Sequence, residues 1–262
     1  MIREQIIALD DGRFGILAEP ATGQAQRPAV VLFNTGLVHR AGPFRQQVHL
    51  ARKLAALGHA VLRYDMPGIG DSGMSAKTDL QVIGSVFDRL DERLGAHGYI
   101  VGGVCTAADR GWNTALVEVR VLGVLLIDGI ARPGKSFRAG QLNLFLKRPA
   151  KTWPGMLLRR FGSQSNGLDE EQFRDWPAAG DEPQQLQQLL DRDVRVLALY
   201  TGGIAQYFLH PGQFKETFGR AADDPRVEFE FWPDCDHLIM SRRDRERVHE
   251  RIGRWCNSVK PL

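Results

Sequence analysis

Tyr99-Ile-Val-Gly-Gly-Val-Cys-Thr-Ala-Ala-Asp109 is the stretch of sequence that decides the fold. Its aromatic and β-branched start predicts a short buried strand, and the residues after Cys105 predict a helix that reaches about Val117. A strand, a tight turn and a helix in this order are typical of a nucleophile elbow, commonly written G-x-S-x-G. Here Cys105 stands at the serine position and Ala107 at the second glycine position, so small residues still allow the strand and the helix to pack closely.

Cys105 has two interpretations at this stage. A thiol is an able nucleophile once a base or a helix N-terminus favours its ionised form. A single cysteine is also commonly a buried structural residue with no chemical role. The elbow alone therefore indicates a candidate nucleophile, and its role depends on which other residues the fold brings to the same place.

The composition is that of an ordinary globular protein. The chain has 262 residues, 43% hydrophobic and 25% charged, which fits one large α/β domain with an insertion. The net charge of +3 comes from basic residues interleaved with acids, which favours solvated helix faces over nucleic-acid binding. No secretory signal or membrane-spanning run is visible. The three cysteines lack paired or metal-type spacing and predict a reducing, cytoplasmic setting, with no structural metal or cofactor.

Strand and helix patterns alternate along the chain. After an N-terminal hairpin around Asp10-Asp11-Gly12, buried strands are expected at residues 29–33, 59–64, 99–101, 119–127, 194–200 and 227–232. Helices are expected at residues 44–57, 80–94, 211–218 and 243–255, besides the elbow helix. This order predicts a mostly parallel, twisted sheet with helices on both faces.

The pattern changes between residues 131 and 191, where basic residues, Trp, Pro and Gln are scattered among short amphipathic pieces. We expect this segment to be a cap or lid inserted between two parts of the core, residues 1–130 and 192–262. Its apolar side chains, such as Phe137, Leu142 and Trp153, would form an apolar underside above the sheet edge. Reactive groups of parallel sheets gather at that edge, beyond the carboxyl ends of the strands.

The chain resembles the α/β-hydrolase superfamily over nearly its whole length. Four motifs carry the resemblance in the expected order: Phe33-Asn34-Thr35-Gly36, Asp65-Met-Pro-Gly-Ile-Gly-Asp-Ser-Gly73, Gly103-Val104-Cys105-Thr106-Ala107 and Asp236-His237. The second motif matches the family pattern D-x-x-G-x-G-x-S closely. The runs at residues 34–43 and 200–203 further resemble a bacterial subgroup of cysteine-elbow hydrolases. Some members of that subgroup are called exosortase-associated or serine-aminopeptidase-like hydrolases, and their substrates are poorly defined.

The resemblance implies a catalytic triad. Cys105 would be the nucleophile that attacks an acyl carbon, and His237 the general base and then the general acid. Most family members carry the orienting carboxylate after the strand at residues 194–200, where this chain has no acid. Asp128, after the preceding strand, is the alternative family position and is preferred. Asp109, one turn into the elbow helix, is the runner-up, or else a buried carboxylate that organises the elbow.

Further residues in the loops at the same mouth have expected roles. The backbone amides of Thr106 and Leu37 would form the oxyanion hole, since Thr106 opens a helix and Leu37 lies in the first glycine loop. His39 and Arg40 would either hold a substrate carboxylate or phosphate or brace their loop against the cap. Asp65 and Ser72 are expected to fix their own glycine loop through side-chain hydrogen bonds.

The ordered set of Cys105, Asp128 and His237 predicts hydrolysis of a small-molecule ester or thioester, free or carrier-bound, through a cysteinyl acyl-enzyme. The same residues would serve acyl transfer to an alcohol or amine if the cap excludes water. A third interpretation is a non-catalytic binding protein on a hydrolase scaffold. The missing acid after Tyr200 and the alanine at position 107 favour that interpretation.

Overall fold

A computed structural model of the protein describes residues 1–21, 27–95, 98–146 and 174–261. The strands in these ranges are β1 (Ile2–Ala8), β2 (Phe14–Pro20), β3 (Ala29–Leu32), β4 (Val61–Tyr64), β5 (Tyr99–Val104), β6 (Val121–Ile127), β7 (Arg195–Thr201) and β8 (Val227–Trp232). The helices are α1 (Gln46–Ala56), α2 (Asp79–Leu94), α3 (Thr106–Val117), α4 (Lys135–Leu146), α5 (Glu182–Asp191), α6 (Gly212–Phe218) and α7 (Arg242–Cys256). Within the described ranges, none of the helices combines the length and apolarity needed to cross a membrane.

The strands form a single sheet in the order β1-β2-β4-β3-β5-β6-β7-β8. β2 pairs antiparallel with both β1 and β4, and the remaining neighbours pair parallel. β3 and β4 are buried along their whole length, as expected for parallel strands with helices on both faces. The predicted mostly parallel sheet is therefore confirmed, and so is the N-terminal hairpin, in which Ile6 lies opposite Ile16.

Two apolar clusters pack against the sheet. One contains side chains from α1 and α7, such as Leu54 and Ile252, and the other contains side chains from α2, α3, α5 and α6, such as Val86 and Trp112. Fully burying one large apolar side chain stabilises a fold by about 1.5–3 kcal/mol. The central strands are therefore firmly held, and the loops that follow them have fixed starting points.

β5 runs further than the predicted strand at residues 99–101. It continues through Gly102 and Gly103 to Val104, directly into the elbow. A Cβ atom at Gly102 would lie 2.4 Å from the carbonyl oxygen of Leu125 in β6, so only glycine permits this approach of the two strands. The prediction ended the strand at the glycines because glycine usually interrupts strands.

The predicted cap at residues 131–191 is described only in part. Residues 147–173, which include Trp153, lie outside the described residues. In α4, Phe137 is buried and Leu142 is 58% exposed. Helix α5, at the end of the predicted cap, packs three leucines (Leu186, Leu189 and Leu190) into the core cluster that also holds α2 and α3. The division into core and cap remains a prediction.

Candidate active site

Cys105 lies in the turn between β5 and α3. Its backbone has φ 62° and ψ −126°, a region that costs a non-glycine residue about 1–3 kcal/mol. The backbone N–H of Cys105 donates to the carbonyl of Ile127 at 2.8 Å, which ties the turn to the end of β6. A Cβ atom at Gly103 would lie 2.9 Å from the Cβ atom of Ala107, so the turn requires small residues on both sides of the cysteine. The segment thus has the strained geometry predicted for an elbow.

His237 and Asp128 meet at the same edge of the sheet. His237 lies in the loop between β8 and α7, and its Nδ1 is 2.7 Å from Oδ2 of Asp128. Asp128 directly follows β6 and is completely buried. Its carboxylate also accepts hydrogen bonds from the backbone N–H of Thr201 at 2.6 Å and from the hydroxyl of Thr201 at 2.7 Å. Thr201 ends β7, the strand that precedes the usual acid position, so here β7 orients an acid that β6 supplies.

The surroundings of His237 favour its protonated form. Burial by itself lowers the pKa of His237, but the hydrogen bonds and negative charges of Asp128 and Cys105 outweigh burial and raise it to about 10. His237 therefore retains its proton at neutral pH, because the contacts with Asp128 and Cys105 both favour the cation. The structure thus brings Cys105, His237 and Asp128 into one interacting set.

Asp109 has a different partner. It is completely buried in the first turn of α3, and its two oxygens accept from Nε and Nη2 of Arg174, the second at 2.9 Å. The indole N–H of Trp176 donates to the same carboxylate at 3.0 Å. Burial raises the pKa of Asp109 above its ordinary value, although Arg174 and Trp176 oppose the increase. These contacts favour the alternative in which Asp109 organises the elbow.

Arg174 and Tyr207 belong to the site, and no sequence pattern indicated either of them. Nη1 of Arg174 lies 3.6 Å from Sγ of Cys105 and 3.2 Å from the hydroxyl of Tyr207. Nη2 of Arg174 and the hydroxyl of Tyr207 both donate to the backbone carbonyl of Asp128, at 3.0 and 2.9 Å. Arg174 is 69 positions from Cys105 in a segment without clear periodicity, so only the folded chain shows the contact.

The two residues expected to form an oxyanion hole lie on adjoining segments. Thr106 is the first residue of α3, and the first amide of a helix has no acceptor within the helix. Its hydroxyl accepts a hydrogen bond of 2.6 Å from the backbone N–H of Gly36, which attaches the first glycine loop to the elbow. Leu37 follows in that loop, with its side chain 86% exposed.

Arg40 is paired with carboxylates of the neighbouring glycine loop. Its guanidinium contacts Asp65 and lies 2.8 Å from Asp71, and its backbone N–H donates to Asp65 at 2.6 Å. The hydroxyl of Ser72 donates to the backbone carbonyl of Asp65, so this loop is fixed internally as expected. These contacts favour a bracing role for Arg40, which here ties its own loop to the loop at residues 65–73. His39 is exposed at the same place, 3.3 Å from Asp71.

The ligand atoms of His39, Asp65 and Asp71 lie within 4.8 Å of one another, an arrangement that could hold a cation. The guanidinium of Arg40 already contacts both carboxylates. Because a metal ion would have to compete with this fixed positive charge, the cluster is better explained as an ion-pair network between two loops.

A cleft of about 480 Å³ opens beside the elbow. Its lining includes Thr106 and an apolar group of side chains, namely Leu37, Ile69, Leu80 and Ile83. The polar residues at its rim are paired with one another, Arg110 with Asp79 at 3.1 Å and Asn113 with Asp175 at 2.7 Å. The cleft therefore presents an apolar surface next to the candidate oxyanion hole.

No protein-family profile and no curated protein sequence matches the chain. Solved structures do match. The chain is similar to a Pyrococcus furiosus esterase at 14% identity, covering 99% of this chain and 91% of that chain with a TM-score of 0.63. It is also similar to a thermostable carboxyl esterase from Bacillus coagulans (12% identity, 98% of both chains, TM-score 0.66) and to a proline iminopeptidase from Mycobacterium smegmatis (17% identity, 97% and 98%, TM-score 0.58). At these identities the likeness concerns the fold. The chain has the α/β-hydrolase fold.

Proposed function

We propose that this protein is a hydrolase that cleaves esters or thioesters through an acyl intermediate on Cys105. The observation that carries the proposal is the 2.7 Å contact between His237 and Asp128 beside a cysteine in a strained elbow. An imidazole held through Nδ1 by a buried carboxylate presents Nε2 for proton transfer. Two of the similar structures are described as esterases, which accords with the proposal.

The proposed reaction has two steps. The thiolate of Cys105 attacks the acyl carbon, and protonated His237 gives its proton to the departing alcohol or thiol, leaving a thioester on the enzyme. Water then attacks this thioester while His237 removes one of its protons, and the C–S bond breaks to restore the thiolate. In both steps the amides of Thr106 and Leu37 would stabilise the negative oxygen. Thr106 offers the first amide of a helix, and Leu37 offers an amide of the adjoining glycine loop.

The apolar cleft indicates the substrate class. Its volume of about 480 Å³ lies in the range of sites for small molecules, roughly 300–1,000 Å³. We place the acyl group there, because apolar side chains line the cleft next to Thr106. The cysteine nucleophile supports placement in the bacterial cysteine-elbow subgroup. All three cysteines are free thiols, in keeping with the reducing, cytoplasmic setting expected from the sequence.

A direct test measures the cleavage of p-nitrophenyl butyrate and of a short acyl thioester by wild type and by Cys105→Ala. Wild type should release a burst of product and gain an acyl group that peptide mapping assigns to Cys105, and Cys105→Ala should do neither. Cys235→Ala is the matched control and should keep both signals, because Cys235 is 2% exposed and burial raises its pKa to about 12. Equal rates for wild type and Cys105→Ala would reject the proposal. Faster product release with an added alcohol or amine would indicate acyl transfer.

A further inference from the structure

Arg174 places a buried positive charge against the sulfur of Cys105. Its side chain is 7% exposed, and Nη1 lies 3.6 Å from Sγ. Burial by itself lowers the pKa of Arg174, but the hydrogen bonds and charge of Asp109 raise it above its ordinary value. The guanidinium therefore keeps its charge at every pH at which the protein is folded. A hydrogen bond from a charged donor becomes stronger as the negative charge on its acceptor increases.

The other contacts of Arg174 show that its remaining donors are occupied. A guanidinium has five N–H bonds, and here the acceptors are both Asp109 oxygens, the Asp128 carbonyl, the Tyr207 hydroxyl and the Cys105 sulfur. This set leaves no N–H for a group of the substrate. The charge of Arg174 thus acts on the sulfur.

The orientation of the ion pair keeps Asp109 from cancelling this effect. Asp109 binds the Nε and Nη2 edge of the guanidinium, and the sulfur faces Nη1. Tyr207 fixes that orientation, because its hydroxyl donates to the Asp128 carbonyl and accepts from Nη1. The sulfur therefore meets the positive end of a buried ion pair, in surroundings where charges interact more strongly than in water.

We propose that Arg174 is a catalytic residue that stabilises the thiolate of Cys105 before attack and again when the thiolate leaves. The proposal rests on the proposed function in taking Cys105 as the nucleophile. The thiol proton passes to His237 before attack, and Arg174 transfers none. When the S–C bond forms, the sulfur loses its charge and the contact with Arg174 weakens. When water has added and the C–S bond breaks, the electron pair returns to the sulfur facing Arg174.

Alkylation of Cys105 by iodoacetamide tests this role without any substrate. The rate, followed by intact mass, reports the thiolate, and Cys105→Ala gives the background from the buried Cys235 and Cys256. At pH about 6, Arg174→Gln should react about tenfold more slowly than wild type, equivalent to about 1.4 kcal/mol. The difference should shrink as the pH rises, because the thiolate then forms without Arg174. Arg174→Lys, which keeps the charge, should recover part of the rate.

Two further variants keep the test decisive. Asp109→Asn/Arg174→Gln removes both buried charges and avoids a lone carboxylate that could unfold the single variant, and it should show the same slow alkylation. Arg120→Gln is the matched control, and its Cys105 should be alkylated at the wild-type rate. Arg120 pairs with Glu118, Asp88 and Asp91, away from the site. Wild-type alkylation at every pH by the folded double variant would overturn the proposal.

The outcomes also separate this role from the proposed function. If wild type cleaves no ester or thioester but alkylation still depends on Arg174, the function fails and the role of Arg174 stands. If Cys105 cleaves esters and the Arg174 variants match wild type in alkylation and turnover, the function stands and the role of Arg174 fails.

Discussion

Asp128 and Asp109 are completely buried carboxylates, each linked to Cys105 through one intervening cation. Asp128 binds His237, which lies 26% exposed at the mouth of the site. Asp109 binds Arg174, whose side chain is 7% exposed. The other hydrogen bonds of Arg174 go to Cys105, Tyr207 and the backbone carbonyl of Asp128. One carboxylate thus faces a cation that can gain and lose a proton, and the other faces a cation that cannot.

This difference separates two tasks around a single sulfur. The Asp128–His237 pair can move a proton to and from a reacting group, because the imidazole titrates and lies partly open to the site. The Asp109–Arg174 pair can supply only a fixed charge and a fixed position. Asp128 and Asp109 are alike in burial, so the proposed assignment of Asp128 as the triad acid rests on the different partner of each carboxylate.

Asp128→Asn should produce the largest loss of activity. The amide keeps the size of the side chain but no longer stabilises protonated His237 or fixes its Nδ1–H. We expect kcat/KM toward p-nitrophenyl butyrate to fall by about 10²–10⁴-fold, toward the lower end because a thiolate needs less help from its base than a serine does. The midpoint of urea denaturation verifies the fold. A loss smaller than that of Asp109→Asn would reverse the assignment of the two carboxylates.

Asp109→Asn should chiefly affect stability. It leaves the buried guanidinium of Arg174 without its carboxylate, and breaking a buried ion pair from one side costs about 3–5 kcal/mol. Urea denaturation should show this loss, while kcat/KM measured well below the unfolding temperature falls much less than in Asp128→Asn. Asp109→Asn/Arg174→Gln should recover much of the stability, because no lone charge remains. Unchanged stability of the single variant would contradict the burial seen in the structure.

Much of the fold could be predicted because parallel strands buried on both faces are visible as continuous apolar runs. The runs that became β3, β6 and β7 were apparent for this reason. The carboxyl ends of such strands meet at one edge, so Cys105, Asp128 and His237 could be expected together. The three residues come together because of the sheet topology, and the local pattern of apolar runs is sufficient to predict that topology.

Arg174 could not be predicted on the same grounds. A buried arginine has no pattern of its own, because it is stable only through partners that lie far away in the sequence. Its partners here are Asp109, Tyr207 and the carbonyl of Asp128. For the same reason the sequence left two candidate acids, and only the contacts of each one distinguish them.

The pH dependence of stability should differ between the Asp128–His237 pair and the Asp109–Arg174 pair. The pKa of His237 is about 10 in the folded chain, above its ordinary 6.5. The stabilisation by this proton is therefore complete below pH 6.5 and is lost as the pH rises through about 10. The difference in unfolding free energy between wild type and Asp128→Asn should shrink over this range by at least ~1.4 kcal/mol, the value of one pKa unit. The difference between wild type and Asp109→Asn should change less over this range, because Arg174 keeps its charge. If both stability differences changed equally with pH, the raised pKa of His237 would not depend on Asp128.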